Sequence, residues 1–250
     1  MNKTFIFDLD DTLVRNVHKY SFCQMELIRH IIDRIGHRSP DAQTIINMQV
    51  VIDKDNVSRF GFSKERFPKS CEETYRKIAL SLGITDEEGA QEAYEIGYRV
   101  FNEKRWKELG VGDMIPGAKD TLDFLMRQND ELLLLTKGDA NAQAEKIQLN
   151  CLERYFGPII GEGIHIVDKK DAVVVREVVG SRDKNRVWHV GNLIKSDVIP
   201  ALNAGIKMIY VPCETWAFEK DHSGLESIDT TNLLTFDSIL DIKRKYDSIN

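Results

Sequence analysis

Residues 4–13 constrain the fold of this chain more than any other stretch of the sequence. Residues 5–7, Phe-Ile-Phe, form a continuous apolar run, and Asp8, Asp10 and Asp11 follow it closely. A short apolar run is typical of a strand that is buried on both faces of a parallel sheet. In an open α/β sheet, ligands bind at the carboxyl ends of such strands. The stretch therefore predicts a buried strand with a carboxylate site at its end.

Asp8 and Asp10 are candidates for one shared site, because residues two apart project to the same side of an extended chain. Two crowded carboxylates repel each other unless a cation, a proton or bound water offsets their charge. The pair therefore indicates a site that binds a cation or carries out acid/base chemistry. The alternative is an ordinary polar turn after a strand, since Asp and Thr are common turn residues.

Residues 7–13, Phe-Asp-Leu-Asp-Asp-Thr-Leu, resemble the first signature of the haloacid dehalogenase superfamily in its phosphatase form, D-x-D-x-T. The resemblance implies that Asp8 is the nucleophile and that Asp10 is the general acid/base. It also implies that Mg²⁺ neutralises the site. The remaining signatures of the superfamily are then expected in order along the chain.

A second apolar run ends in a polar loop at residues 131–139. Four leucines are followed by Thr136, Lys137 and Gly138. A hydroxyl at a strand end can hold a phosphoryl oxygen together with N–H groups from a glycine-bearing loop. The second signature of the superfamily is a Ser or Thr here, so the resemblance assigns it to Thr136. The alternative is a strand that ends in an ordinary turn.

A lysine at the start of a helix is the third signature, and two lysines compete for it. Residues 164–167 predict a short strand that leads into Lys169, Lys170 and Asp171, with a helix through residues 173–179. Lys170 fits best because an acidic residue and the helical run follow it at once, and Lys169 is the alternative. A lysine here would neutralise the nucleophile and the transferring phosphoryl group.

The fourth signature falls in residues 186–197. Residues 187–190 predict a strand, Gly191 a tight turn, and Asp197 the start of a helix. The superfamily carries G-D-x-x-x-D or G-D-x-x-x-x-D here, to bind or orient Mg²⁺. This chain has the longer spacing, with Asn192 in place of the first Asp. The alternative is a strand, a glycine turn and a helix capped by a polar residue.

The resemblance assigns four side chains to Mg²⁺, namely Asp8, Asp10, Asn192 and Asp197. An Asn carbonyl oxygen is a hard ligand for this ion but brings no charge. We therefore expect the site to carry one negative charge fewer than the two-acid version, with Asp197 as the acidic contribution from this motif.

Residues 16–112 are rich in helix formers and lack a convincing strand pattern. Such a block is too long for a strand crossover, which usually holds one helix. We predict a doubly wound, mainly parallel Rossmann-like α/β core of residues 1–15 and 113–250, with residues 16–112 inserted as a separate helical module. In the superfamily, an insertion here is a mobile cap that selects the substrate; the alternative is a rigid helical layer. Helices are expected at residues 22–35, 41–52, 63–67, 70–82 and 86–106, with Pro68 ending the third.

Composition excludes several classes of protein. A net charge of −6 over 250 residues argues against a general nucleic-acid binder, and no apolar run is long enough to span a membrane. Residues 1–3 lack the features of a signal peptide. The cysteines are scattered without CxxC pairing, which disfavours a zinc site or a disulfide framework: Cys23, Cys71, Cys151 and Cys213. We therefore expect a cytoplasmic protein with reduced thiols.

The four signatures resemble those of the superfamily's phosphatases, and the resemblance implies Mg²⁺-dependent hydrolysis of a small phosphorylated metabolite through an aspartyl phosphate. A phosphomutase is an alternative, as is a haloacid dehalogenase, although Asp10 weighs against the latter because a halide leaves without a proton. A signalling protein with a phosphorylatable Asp is an alternative from another class. Receiver domains, which are the signalling modules that carry such an Asp, are shorter than this chain, however, and have the phosphorylated Asp at a later strand. No particular oligomeric state is predicted.

Overall fold

The computed structural model describes residues 2–158, 160–213 and 225–249. Its strands are β1 (Thr4–Phe7), β2 (Glu131–Lys137), β3 (Ile164–Val167), β4 (Val187–Gly191), β5 (Lys207–Tyr210) and β6 (Leu233–Thr235). Its helices are α1 (Val17–Ile35), α2 (Ala42–Phe60), α3 (Arg66–Ser81), α4 (Glu87–Tyr98), α5 (Glu103–Glu108), α6 (Ala118–Arg127), α7 (Ala140–Leu149), α8 (Glu153–Phe156), α9 (Ala172–Val179), α10 (Ile199–Ala204) and α11 (Leu240–Arg244).

The strands form one six-stranded sheet with the spatial order β3-β2-β1-β4-β5-β6, and all pairings between neighbours are parallel. The strand order reverses beside β1, where Thr4 lies opposite both Glu131 of β2 and Val187 of β4. This is the doubly wound order, in which a crevice opens at the carboxyl ends of the strands flanking the reversal. The predicted Rossmann-like fold is confirmed.

Strand β1 is buried on both faces, as its continuous apolar run predicted. Phe5 and Phe7 belong to the core on one side of the sheet, which includes Leu122 of α6. Ile6 points to the other side and packs in a second core with Val175 of α9. Successive side chains of a strand alternate between faces, so three consecutive apolar residues can serve both cores.

The chain divides into two compact units, residues 1–17 with 112–250 and residues 18–111. The first unit holds the sheet and its flanking helices. The second holds nearly all of α1, together with α2 to α5, around a core of its own that includes Phe67, Tyr75 and Trp106. That the second unit acts as a mobile cap remains a proposal.

Two of the helix predictions in the second unit were wrong. Pro68 does not end a helix but lies in the first turn of α3, where the missing N–H of proline needs no partner. The single helix predicted at residues 86–106 is interrupted after α4 by a 3₁₀ turn. The side chain of Asn102 then caps α5 by accepting a hydrogen bond from the N–H of Arg105 at 3.1 Å. A capping asparagine favours a new helix start over continuation.

Within the described ranges, no helix is both long and apolar enough to cross a bilayer. Cys23 and Cys71 are buried thiols, and Cys151 is exposed. The cytoplasmic location stays a prediction.

Candidate active site

The predicted site residues of the α/β unit lie on the loops at the carboxyl end of the sheet. Asp8 directly follows β1, Thr136 lies near the end of β2, and Asn192 directly follows β4. These are three adjacent strands, and the reversal of strand order falls between β1 and β4. Lys170 follows β3 and precedes α9. The fold therefore brings side chains that are far apart in sequence to one edge of the sheet.

Lys170 connects two buried carboxylates. Its Nζ atom donates hydrogen bonds to Oδ1 of Asp8 at 2.6 Å and to Oδ1 of Asp197 at 2.7 Å, and its side chain is 1% exposed. Lys169, the alternative from the sequence, is 78% exposed and pairs with Asp171 at 2.8 Å. Asp171 also caps α9 through the N–H groups of residues 173 and 174. Lys170 is therefore the lysine that meets the predicted nucleophile.

One ammonium group between two carboxylates leaves a negative charge in excess. Burial raises the pKa of Asp8 above its usual range; Lys170 opposes this shift and Asp197 adds to it. Burial alone would also raise the pKa of Asp197, but Lys170 and His189 outweigh it and hold that pKa below the usual range. Lys170 stays protonated because its two carboxylates outweigh the burial that would lower its pKa. The excess charge therefore falls on Asp8, where a cation would be favoured.

Asp197 is fixed by protein donors on both of its oxygens. Oδ2 accepts a hydrogen bond from the N–H of Leu193 at 2.9 Å, and Oδ1 contacts Nε2 of His189 at 3.3 Å as well as Lys170. Gly191 permits this packing, because a Cβ atom there would lie 2.3 Å from Cγ of Asp197. These contacts hold the carboxylate in a single orientation toward Lys170.

Asp197 does not open a helix, and this prediction was wrong. It lies within a π-helical turn, Ile194–Val198, that precedes α10. Such turns are rare and are frequent at functional sites. The turn lets the Asp197 side chain fold back and accept a hydrogen bond from the N–H of Leu193, which lies in the loop after β4.

Thr12 lies between two oxygens that are candidates for metal ligation. Its Oγ1 is 3.0 Å from Oδ2 of Asp8 and 3.2 Å from Oδ1 of Asn192. A hydroxyl has one proton and can donate to only one of these oxygens, so the other has acceptor capacity left for a cation. A carboxylate and an amide oxygen are both hard ligands of the kind that Mg²⁺ binds.

A cluster of three or more His, Cys, Asp or Glu side chains with metal-binding geometry is absent from the described residues. Mg²⁺ does not require one, because it usually keeps several waters and binds through one or two carboxylates. Asp8 and Asn192 therefore fit a hydrated Mg²⁺ ion. The other two predicted ligands have different surroundings: Asp197 is fixed by protein donors, and Asp10 is paired with a lysine.

The carboxylate of Asp10 is held by helix α7. Nζ of Lys146 lies 2.8 Å from Oδ1 and 3.1 Å from Oδ2 of Asp10, and Nε2 of Gln143 lies 3.0 Å from Oδ2. The same Gln143 nitrogen donates to Oγ1 of Thr136 at 2.9 Å. Gln143 therefore connects the predicted acid/base to the predicted phosphoryl-binding hydroxyl. Sequence reasoning missed both α7 residues; their one available signal was a spacing of three, which puts them on one helix face.

Asp11 has a supporting role beside the site. Its backbone is left-handed, with φ of 58°, a conformation that Asp tolerates better than most residues. Its carboxylate accepts hydrogen bonds from the N–H groups of Asn16, at 2.7 Å, and Val17, at 3.0 and 3.1 Å. Burial raises the pKa of Asp11 to about 6. The side chain thus fixes the chain between the Asp8 loop and the start of α1.

Comparison with known proteins agrees with this geometry. A family model described as "Hydrolase: haloacid dehalogenase-like hydrolase" matches residues 2–205. The N-acylneuraminate-9-phosphatase of Mus musculus is 25% identical over 212 residues, which cover 82% of this chain and 80% of the relative. The family match spans all of the site residues described above.

Solved structures share the fold. A haloacid dehalogenase-like family hydrolase from Xanthomonas campestris superposes with a TM-score of 0.75 at 22% identity, covering 99% of this chain and 91% of that one. A putative beta-phosphoglucomutase from Thermotoga maritima has a TM-score of 0.62 at 18% identity, covering 99% of this chain and 100% of that one. The superfamily resemblance seen in the sequence is confirmed, and the chain belongs to the haloacid dehalogenase-like hydrolase family.

Proposed function

We propose that this hydrolase is a Mg²⁺-dependent phosphatase that cleaves a small phosphate monoester through an aspartyl phosphate on Asp8. The observation that carries the proposal is the buried group of Asp8, Lys170 and Asp197 beside a second carboxylate, Asp10. It combines a nucleophile, a fixed positive charge and a candidate proton donor. The name of the phosphatase relative supports the same reaction class.

In the first step, a carboxylate oxygen of Asp8 attacks phosphorus while the bond from phosphorus to the ester oxygen breaks. Asp10 gives its proton to the leaving oxygen, which departs as an alcohol. In the second step, Asp10 takes a proton from water as the water oxygen attacks phosphorus. The bond between phosphorus and the Asp8 oxygen breaks, which releases inorganic phosphate and restores the enzyme.

The other side chains stabilise the charge that moves in these steps. Lys170 offsets the charge of Asp8 and of the phosphoryl oxygens, and the Thr136 hydroxyl binds one of those oxygens. Asp8 and Asn192 would hold Mg²⁺, which when bound would supply positive charge that offsets the charge of Asp8 and of the phosphoryl oxygens. We assign Asp197 to the positioning of Lys170 rather than to the metal, because its oxygens already accept from Lys170 and Leu193.

The proposed substrate is a small phosphate monoester. The named substrate of the mouse relative makes N-acylneuraminate 9-phosphate the first compound to test. Asp10 disfavours carbon–halogen hydrolysis, since a departing halide needs no proton.

The test is an assay of phosphate release from a panel of phosphate monoesters, with Mg²⁺ and with a chelator, beside a haloacid panel assayed for halide release. We expect at least one ester to be turned over repeatedly, only with Mg²⁺, and not by Asp8→Asn. Halide release, or phosphorylation of Asp8 that stops after one turnover, would contradict the proposal. Transfer of the phosphoryl group to a second hydroxyl instead of water would identify a mutase.

A further inference from the structure

Helix α7 carries two buried polar side chains for which the proposed reaction has no role. Gln143 is 2% exposed and Lys146 is 6% exposed. They are three positions apart, so they lie on the same face of the helix. A buried lysine and a buried amide both cost free energy unless their polar atoms are well bonded. Their position therefore needs an explanation beyond core packing.

The contacts of these two side chains converge on Asp10. Lys146 donates to both carboxylate oxygens, at 2.8 and 3.1 Å, and to Oδ1 of Asn16 at 3.2 Å. Gln143 donates to Oδ2 of Asp10 at 3.0 Å. Contact with both oxygens restricts rotation of the carboxylate about its terminal bond. The Asp10 carboxylate is thus fixed in orientation as well as in position.

The hydrogen-bonding capacity of the Gln143 side chain is not fully satisfied. Its Nε2 atom has two protons but lies within 3.0 Å of three acceptors, on Asp10, Thr136 and Lys137. Its Oε1 atom is buried and has no hydrogen-bond partner among the described residues. Buried polar atoms are nearly always satisfied, so an exception is a reason to look for a functional role.

The loop before α7 is built to hold these side chains in place. Oδ1 of Asp139 caps the helix by accepting from the N–H groups of Asn141 and Ala142, at 3.1 and 3.0 Å. Gly138 has φ of +146°, and a Cβ atom there would lie 3.1 Å from Nε2 of Gln143. A side chain at position 138 would therefore strain the loop and press on Gln143. Loop and helix together fix the approach of α7 to Asp10.

We propose that Lys146 and Gln143 are positioning residues for Asp10, an inference that rests on the proposed phosphatase function. They hold the Asp10 side chain where its carboxylic acid form can give a proton to the leaving oxygen and the resulting carboxylate can take one from the attacking water. Through Thr136, Gln143 also keeps this carboxylate in register with the phosphoryl-binding hydroxyl. Neither residue takes part in the proton transfers or in the bonds to phosphorus.

The proposal predicts that substitution of Lys146 or Gln143 lowers kcat/KM by an amount that depends on the leaving group of the ester. An alkoxide needs a proton in order to leave, whereas p-nitrophenolate leaves without one. General acid catalysis is worth about 10²–10⁴-fold, and a small misplacement of a catalytic group can cost about 10²-fold. For Lys146→Met, kcat/KM of an alkyl phosphate should therefore fall about 10²-fold, and that of p-nitrophenyl phosphate less than about fivefold. For Gln143→Leu, the alkyl ester should lose about tenfold.

The experiment measures kcat/KM for p-nitrophenyl phosphate and for the best alkyl phosphate of the panel. The variants are Lys146→Met, Gln143→Leu, the conservative Lys146→Arg and the matched control Lys119→Met. Lys119 forms an exposed pair with Asp123 at 2.7 Å in α6, so its loss removes a lysine–aspartate contact away from the site. Lys146→Arg should recover part of the alkyl-ester activity, and Lys119→Met should match the wild type on both esters.

A second arm combines Lys146→Met with Asp10→Asn. If Lys146 acts through Asp10, the double variant should be no slower on the alkyl phosphate than Asp10→Asn alone. Equal losses on the two esters, or additive losses in the double variant, would overturn the inference while the proposed function stands. Hydrolysis of neither ester by the wild type would instead overturn the proposed function, and the inference with it. If Lys146→Met does not fold, Gln143→Leu decides the question by the same comparison of esters.

Discussion

Both compact units bury charged side chains, but they balance those charges differently. In the helical unit of residues 18–111, buried Lys19 contacts buried Glu103, and buried Arg66 contacts buried Asp53. Positive and negative groups are matched there. Matched pairs of this kind contribute little net stability, yet they are costly to break, because the remaining charge stays buried.

In the α/β unit, one lysine serves two carboxylates. Lys170 contacts Asp8 and Asp197, and all three side chains are buried. Burial with an unmatched negative charge destabilises the folded state, and folds retain such an arrangement where function requires it. The difference between the units therefore distinguishes matched ion pairs from the proposed reactive site, although all of these side chains are buried.

Asp8→Asn removes the unmatched carboxylate and should have the largest effect on turnover. Loss of the nucleophile should lower kcat by about 10⁴-fold or more. The free energy of unfolding should change by less than about 1 kcal/mol or should increase, because an excess buried charge is removed. Steady-state kinetics and urea denaturation check the two parts. A loss of several kcal/mol in stability would show that Asp8 is a structural partner, like Glu103.

Glu103→Gln removes the carboxylate from a matched pair and should have the largest effect on stability. We expect a loss of about 3–5 kcal/mol, because the charge of Lys19 stays in a buried site that was matched to a carboxylate. Urea denaturation followed by circular dichroism measures it. Glu26→Gln is the matched control, since Glu26 pairs with Arg99 at 3.1 Å on the exposed surface of the same unit and should cost less than about 1 kcal/mol. Similar losses of stability in both variants would mean that the buried Lys19–Glu103 pair and the exposed Glu26–Arg99 pair do not differ in their contribution to stability.

Asn192→Asp adds a second unmatched carboxylate beside Asp8. The extra charge should tighten Mg²⁺ binding by about tenfold, equivalent to about 1.4 kcal/mol. Calorimetric titration with MgCl₂ in the absence of substrate measures this directly, and the Mg²⁺ dependence of phosphate release should shift in the same direction. Unchanged binding would mean that Asn192 does not face the metal.

Asp123→Asn alters an exposed ion pair and should have the smallest effect. Hydrogen bonds from Lys119 and Tyr155 lower the pKa of Asp123 to about 2. A lowered pKa means that the ionised group stabilises the fold above its unfolded pKa, near 3.8, and that this contribution is lost as the pH falls through about 2. The variant should therefore lose less stability than the wild type between pH 4 and 2, by less than about 1 kcal/mol. Urea denaturation at several pH values in this window checks the sign.

The sequence predicted those parts of the site that follow from strand ends. The apolar run at residues 5–7 predicted that Asp8 lies at the end of a buried strand. Lys170 could be preferred to Lys169 because the helix starts directly after Asp171. Lys146 and Gln143 could not be found in this way. Their contact with Asp10 depends on how α7 packs on the sheet, which no local pattern encodes.

The predictions that failed were those in which local rules have exceptions. Proline usually ends a helix, but Pro68 falls in the first turn of α3, where the rule does not apply. Asp197 lies in a π-helical turn and packs where a Cβ atom at Gly191 would clash with it, and helical periodicity shows neither feature.

The central position of β1 has a consequence for how the chain folds. Its partners, β2 and β4, follow it in the sequence only after the whole helical unit, since Thr4 pairs with Glu131 and Val187. During synthesis, the apolar β1 emerges before both of its partner strands and stays unpaired while residues 18–111 can already complete their own core. Contacts between distant residues form slowly, and an unpaired apolar strand promotes aggregation. We therefore expect pulse-labelled hydrogen exchange to detect protection in α3 and α4 before β1.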